Sequence, residues 1–145
     1  MINTLQQVKK KIQYFGENHQ NINQFESDEF SKFAATNNKY PLMWTTPKNV
    51  IFNEGQLTIP YTIMLVDIRY DESDLTQLLS DTLSTLTELL TYLSSESDNF
   101  NWFIKQNPRF VPVIDNLSDN VVGWQGDVNI IMAVNIDEDH IQWRT

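Results

Sequence analysis

The chain has 145 residues, 41 % apolar and 20 % charged, with no cysteine. This is typical of one globular domain over residues 1–145 and excludes disulfides and thiolate chemistry. No apolar run approaches the length that crosses a bilayer, so we expect a soluble protein without a membrane partner. The net charge is -9, since residues 51–145 hold fifteen acidic and four basic residues, and this excess of carboxylates disfavours nucleic-acid binding.

The first segment, residues 2–15, is predicted to be an amphipathic helix. Its apolar residues recur every three or four positions, and Gly16 marks the expected end. Residues 16–40 are polar and rich in Asn and Gln. We expect a long loop there, or a short helix over residues 27–35, and we predict that the segment contacts other molecules.

The following segments change to the period of two that is typical of strands. We predict strands over residues 40–45, 50–52 and 57–65, with a hairpin turn at residues 53–56. Apolar residues alternate along the longest of these strands, which indicates burial on one side only. Pro60 interrupts it and has no N–H to donate, so we expect a bulge or a sheet edge at that position.

A long amphipathic helix is predicted over residues 71–94. The segment lacks Gly and Pro, and its first residues offer capping side chains and negative charge. Its leucines follow the spacing of one helical face: Leu75, Leu78, Leu79, Leu83, Leu86, Leu89, Leu90 and Leu93.

The last third of the chain is predicted to supply a connector and two more strands. Residues 95–108 form a polar connector with exposed aromatic side chains, the second segment that we expect to contact other molecules. Strands follow over residues 109–114 and 121–136. Gly123 and Gly126 within the last strand indicate a bulge or a close approach between backbones. The order helix, strands, helix, strands predicts an α+β fold: one largely antiparallel or mixed sheet with two main helices packed on one face.

No constellation of residues points to catalysis, a metal ion or a cofactor. His19 lies in a polar loop and His140 in an acidic tail, and we interpret both as surface residues. The acidic residues next to His140 suggest a metal site, but neighbouring side chains on a strand end diverge and a metal ion needs converging ligands. We therefore expect a protein that is not an enzyme.

Aromatic side chains in irregular segments are better candidates for binding. Such residues anchor interfaces because they bury a large area at a low cost in entropy. An acid and a base two residues apart at the end of the long strand add a further possible contact. The predicted interface residues are Asp67, Arg69, Phe100, Trp102, Phe103 and Trp143.

A series of short motifs carries a resemblance to a known family. In order they are Tyr40-Pro41-Leu42-Met43-Trp44-Thr45-Thr46-Pro47, Val66-Asp67 at a strand end, Ser80-Asp81-Thr82 in the long helix, Pro112-Val113-Ile114-Asp115, and Asp119-Asn120-Val121-Val122-Gly123-Trp124. Together they resemble the small neck and tail-completion proteins of tailed bacteriophages, particularly phages of Bacteroidetes, including crAss-like phages. The resemblance covers roughly two thirds of the chain, from Tyr40 to Ile136.

This resemblance implies a tail-terminator fold and a closed ring, six-fold or twelve-fold, through which the genome passes. It implies no catalytic residues, a location in the virion after assembly in the host cytoplasm, and portal, neck or tail proteins as neighbours. An acidic body would let DNA slide through without specific binding. We therefore expect carboxylates to line the channel, and not the adjacent residues Lys9, Lys10 and Lys11.

The leading prediction from the sequence is thus a structural ring protein of a phage neck or tail. Two alternatives stay open: a small adaptor that binds a cytosolic protein without catalysis, and a small hydrolase whose site is not recognisable.

Overall fold

The computed structural model describes residues 4–27, 38–71, 74–96, 102–105, 107–114, 120–133 and 142–144. Its elements in chain order are α1 (Thr4–Asn18), β1 (Gln24–Ser27), β2 (Leu42–Pro47), β3 (Ile51–Asn53), β4 (Gln56–Ile68), α2 (Leu75–Glu96), β5 (Trp102–Ile104), β6 (Arg109–Ile114) and β7 (Val121–Ala133). One mixed seven-stranded sheet and two helices confirm the predicted α+β class.

Two long central strands organise the sheet. β4 and β7 pair antiparallel without interruption, from Gln56 opposite Ala133 to Ile68 opposite Val121. The outer edge of β4 carries β2 and β3, and the outer edge of β7 carries β6 and β5. β1 pairs parallel with β2, so five of the six pairings among the described strands are antiparallel.

The larger core cluster contains the odd-numbered side chains of β4. Because side chains alternate along a strand, these residues share one face of the sheet, called here the first face. Leucines of α2 and two aliphatic residues of α1 belong to the same cluster. Its main members are Val8, Ile12, Ile59, Tyr61, Ile63, Leu65, Leu86, Leu89, Leu93, Val128, Ile130 and Met132.

A second apolar cluster lies on the opposite face, called here the second face, and corrects the prediction of burial on one side. Met64 and Val66, even-numbered residues of β4, are at most 1 % exposed. They pack with Leu42, Trp44, Val113 and Val121, and Tyr40 contacts the cluster from its edge. The reason is visible in the run Ile63-Met64-Leu65-Val66, since continuous apolar residues are typical of a strand that is buried on both faces.

Pro60 is accommodated without the predicted bulge or sheet edge. It lies inside β4, and the register with β7 continues through it. On the other side, β3 pairs with β4 up to Thr58 and β2 begins its pairing at Tyr61. The Pro60 carbonyl accepts a hydrogen bond from the Lys48 N–H, which shows that the proline faces the junction between β3 and β2. No ladder hydrogen bond is lost there.

The predicted end of α1 is wrong, and two segments that were predicted to be irregular contain strands. α1 continues through Gly16 to Asn18, and the ring of Phe25 packs where a Cβ of Gly16 would be, only 2.2 Å from the nearest ring carbon. The polar segment 16–40 contains β1, and the connector 95–108 contains β5. The sequence also allowed a short helix over residues 27–35. Ser27 lies in β1, and residues 28–35 lie outside the described residues.

Within the described residues, neither helix has the length and apolar character needed to cross a membrane.

Candidate functional site

A basic cavity lies on the second face of the sheet, where β6, β7 and the segment between β5 and β6 meet. Its volume is about 450 Å³. It is lined by Lys48, Lys105, Asn107, Pro108, Arg109, Val111, Gln125, Gly126, Asp127 and Asn129. Three of the ten lysines and arginines of a strongly acidic chain therefore converge on one place.

Backbone contacts place the basic residues. The Lys48 N–H donates to the Pro60 carbonyl at 2.9 Å, and the Lys105 N–H donates to the Asn129 carbonyl at 2.9 Å. Between β5 and β6, Asn107 adopts a left-handed conformation with φ of 62°, which asparagine tolerates better than most residues. Lys105, which follows β5, and Arg109, which begins β6, lie along the same edge of β7.

Among the described residues, a single carboxylate, that of Asp127, lines the cavity. Asp127 accepts a hydrogen bond from the Thr62 hydroxyl at 2.7 Å on one oxygen. Its second oxygen accepts from Lys48 Nζ at 3.4 Å, in an ion pair whose side chains are about half exposed. Arg109 is the residue opposite Asp127 in the β6–β7 register. With three positive groups and one negative group the lining carries a net charge of +2.

The acidic residues of α2 lie away from this cavity. Residues 70–104 contain seven acids and no lysine or arginine. Asp81 and Glu88 are exposed and seven residues apart, so they follow one stripe along α2, about 10 Å from each other along the axis. The leucines of α2 pack with the odd-numbered side chains of β4, whereas the cavity is built on the second face. Basic and acidic surfaces are thus separated by the sheet.

The aromatic residues of the predicted connector differ in exposure. Phe103 is 52 % exposed, and its β5 register opposite Ile131 places it on the second face, two residues before Lys105. Trp102 is 3 % exposed and belongs to the first-face core, so its prediction as an exposed interface anchor is wrong. Adjacent residues of a strand point to opposite faces, which explains the different environments. Phe100 lies outside the described residues.

The other predicted contact residues occupy different surroundings. Trp143 is 74 % exposed. Arg69 follows the end of β4, and its Nε donates to the Asp71 carbonyl at 3.4 Å. Asp67 is half-buried, and its carboxylate accepts a hydrogen bond from the Ile68 N–H at 2.8 Å. Burial raises the pKa of Asp67, the Ile68 hydrogen bond lowers it, and the nearby charge of Asp81 raises it further.

Replacing Asp67 by asparagine is expected to stabilise the fold slightly at pH 7, by no more than about 1 kcal/mol because the site is partly screened. Asparagine keeps an acceptor for the Ile68 N–H and removes the repulsion from Asp81. Because the folded-state pKa is raised, the native state binds a proton more tightly than the unfolded chain. The advantage of Asp67→Asn is therefore lost as pH falls through the folded-state pKa and is absent by about pH 3. Urea unfolding at pH 7 and pH 3 measures this, with the exposed Glu54→Gln as control.

His19 is more buried than the sequence predicted. Its side chain is 13 % exposed, and its ring lies 4.9 Å from that of Phe15. Nδ1 accepts a hydrogen bond from the Asn21 N–H at 3.1 Å, and Nε2 contacts the Glu88 carboxylate. This contact joins the end of α1 to α2. His140 lies outside the described residues.

Sequence reasoning did not find the basic cavity. Lys48 is distant in sequence from Lys105 and Arg109, and only the pairing of the strands brings it close to them. In the parts of the chain that the structure describes, no group of three metal-ligating side chains comes together. No protein-family model matches the chain, and no curated protein matches it.

Proposed function

We propose that this chain is a structural component of the neck or tail of a tailed bacteriophage, where it forms a closed homo-oligomeric ring. The observation that supports this most is the separation of charge across the sheet: a basic cavity on the second face, and the acidic stripe of α2 on the other side. A ring built head to tail needs two different surfaces on each subunit that fit each other. The basic cavity and the acidic stripe of α2 are two surfaces of opposite charge, which supports the proposal.

The resemblance in motif order supplies the biological setting of this proposal. Portal, neck and tail proteins are the proposed neighbours, and the genome passes through the ring without specific binding. Carboxylates line the channel in this proposal, because like charge keeps DNA from adhering. Lys9 and Lys10, which are exposed on α1, face away from the channel.

Native mass spectrometry over rising protein concentration tests self-association. We expect a closed oligomer of six or twelve copies, alone or on addition of purified portal or tail. Electron microscopy of particles made without the protein is expected to show heads and tails that fail to join or tails that are not completed. A stable dimer that does not assemble further when portal or tail is added would favour the adaptor. Turnover of a small molecule would favour the hydrolase.

A further inference from the structure

We propose that the basic cavity binds the acidic stripe of α2 from a second copy of this chain, so that Lys105 and Arg109 of one subunit meet Asp81 and Glu88 of the next. This inference rests on the proposed self-association and names the contact that produces it.

The cavity has positive charge available for such a partner. Lys48 is already engaged, since its Nζ pairs with Asp127. Lys105 and Arg109 are exposed at the same cavity. Arginine presents a planar fork that matches a carboxylate, and lysine adds a mobile point charge. Val111, 60 % exposed, supplies apolar area at the same place.

The acidic stripe is carried by a regular helix. Asp81 and Glu88 are held on one regular helix, and each is positioned by a neighbour: Gln77 donates to Asp81 at 2.8 Å, and His19 contacts Glu88. Glu88 is still 58 % exposed. Between residues 70 and 104 no lysine or arginine neutralises the stripe within its own segment. Two carboxylates on a rigid helix can therefore meet two cations on a sheet face.

A second copy fits the cavity better than nucleic acid does. The complementary acidic surface is present on every subunit, and heterologous contact between unlike surfaces propagates until a ring closes. Binding of a phosphate backbone requires several cations along one surface, whereas the cavity offers Lys105 and Arg109 beside the already engaged Lys48. Electrostatic complementarity also fixes the orientation of neighbouring subunits.

Reciprocal charge reversal tests the contact. Variant X carries Lys105→Glu and Arg109→Glu, and variant Y carries Asp81→Lys and Glu88→Lys. Each alone has like charges on both surfaces, and we expect at least tenfold weaker self-association by native mass spectrometry and sedimentation. Mixing X with Y pairs an acidic cavity with a basic helix and a basic cavity with an acidic helix. The mixture is expected to recover assembly, with X and Y alternating.

Matched controls carry the same change of charge elsewhere. Lys9→Glu with Lys10→Glu matches X, and Glu17→Lys with Glu54→Lys matches Y; both controls are expected to assemble like the native chain. Circular dichroism checks folding, and Asp81→Lys alone replaces Y if loss of the His19 contact unfolds it. Asp81→Lys itself relieves the repulsion that Asp67 experiences.

Three results would overturn the inference. If X and Y each assemble as strongly as the native chain, this contact is rejected and the ring proposal is unaffected. Binding of a short DNA duplex by the native chain that is lost in X, without recovery of assembly in the mixture, would assign the cavity to nucleic acid. Absence of any oligomer, with or without portal and tail, would reject the ring proposal itself and the contact with it.

Discussion

Replacing Gly123 by alanine is expected to destabilise the fold by about 3 kcal/mol or more. A Cβ at Gly123 would lie 1.9 Å from the Leu65 carbonyl oxygen and 2.7 Å from the Val66 Cα. Both atoms belong to the backbone of β4, which is paired with strands on its two edges. Backbone held in that way cannot move aside as a flexible side chain could. Urea unfolding followed by tryptophan fluorescence measures the loss.

The matched control is Gly55→Ala in the turn between β3 and β4. Gly55 has φ of +75°, and a Cβ there would meet nothing within 4 Å. Alanine disfavours this left-handed backbone conformation, so we expect a loss of stability of about 1 kcal/mol. Equal losses in the two variants would mean that β4 and β7 do not approach as closely as the structure indicates.

The close approach at Gly123 was predictable, because a glycine inside an alternating strand is typical of a bulge or of a place where two backbones come close. The same holds for the helices and the long strands, whose apolar periods are sustained over many residues. β1 and β5 escaped prediction for the opposite reason. Gln24–Ser27 and Trp102–Ile104 are too short to display a period, and their strand character comes from pairing with β2 and β7.

The basic cavity could not be predicted from local pattern. Lys48 follows β2, while Lys105 follows β5 and Arg109 begins β6, and nothing in the sequence relates Lys48 to the other two. They meet because β6 pairs with one half of β7 and β5 with the other half. Register between distant strands is a property of the whole sheet. The predicted contact residues were chosen by residue type, so the prediction did not separate the exposed Phe103 from the buried Trp102.

The second face did have a local signal in the sequence. The run Ile63-Met64-Leu65-Val66 is too short to span a membrane, but it is long enough to make both faces of a strand apolar. Four consecutive apolar residues in a strand supply two for each face. Met64 and Val66 therefore build the second cluster, on the same face of the sheet as the cavity.

Replacing Leu89 by alanine is expected to cost about 2–5 kcal/mol, the second large effect on stability. Leu89 is 1 % exposed in the first-face core, where it packs with β4 and β7 residues, and alanine would leave a cavity. Leu83, on the same helix, is 45 % exposed. Leu83→Ala makes the same substitution in the same helix, so the change in helix propensity is matched. Its loss of stability should stay within about 0.5 kcal/mol.

The comparison also tests the orientation of α2. All eight leucines fit one helical face by spacing, but Leu83 lies at one margin of that arc, since each residue advances by about 100°. If Leu83→Ala cost as much as Leu89→Ala, the helix would be rotated about its axis from its position in the structure. Asp81 would then be displaced with it, because the rotation that buries Leu83 moves every other side chain of α2 by the same angle. The acidic stripe proposed for the contact between copies therefore depends on a measurable difference between two leucines.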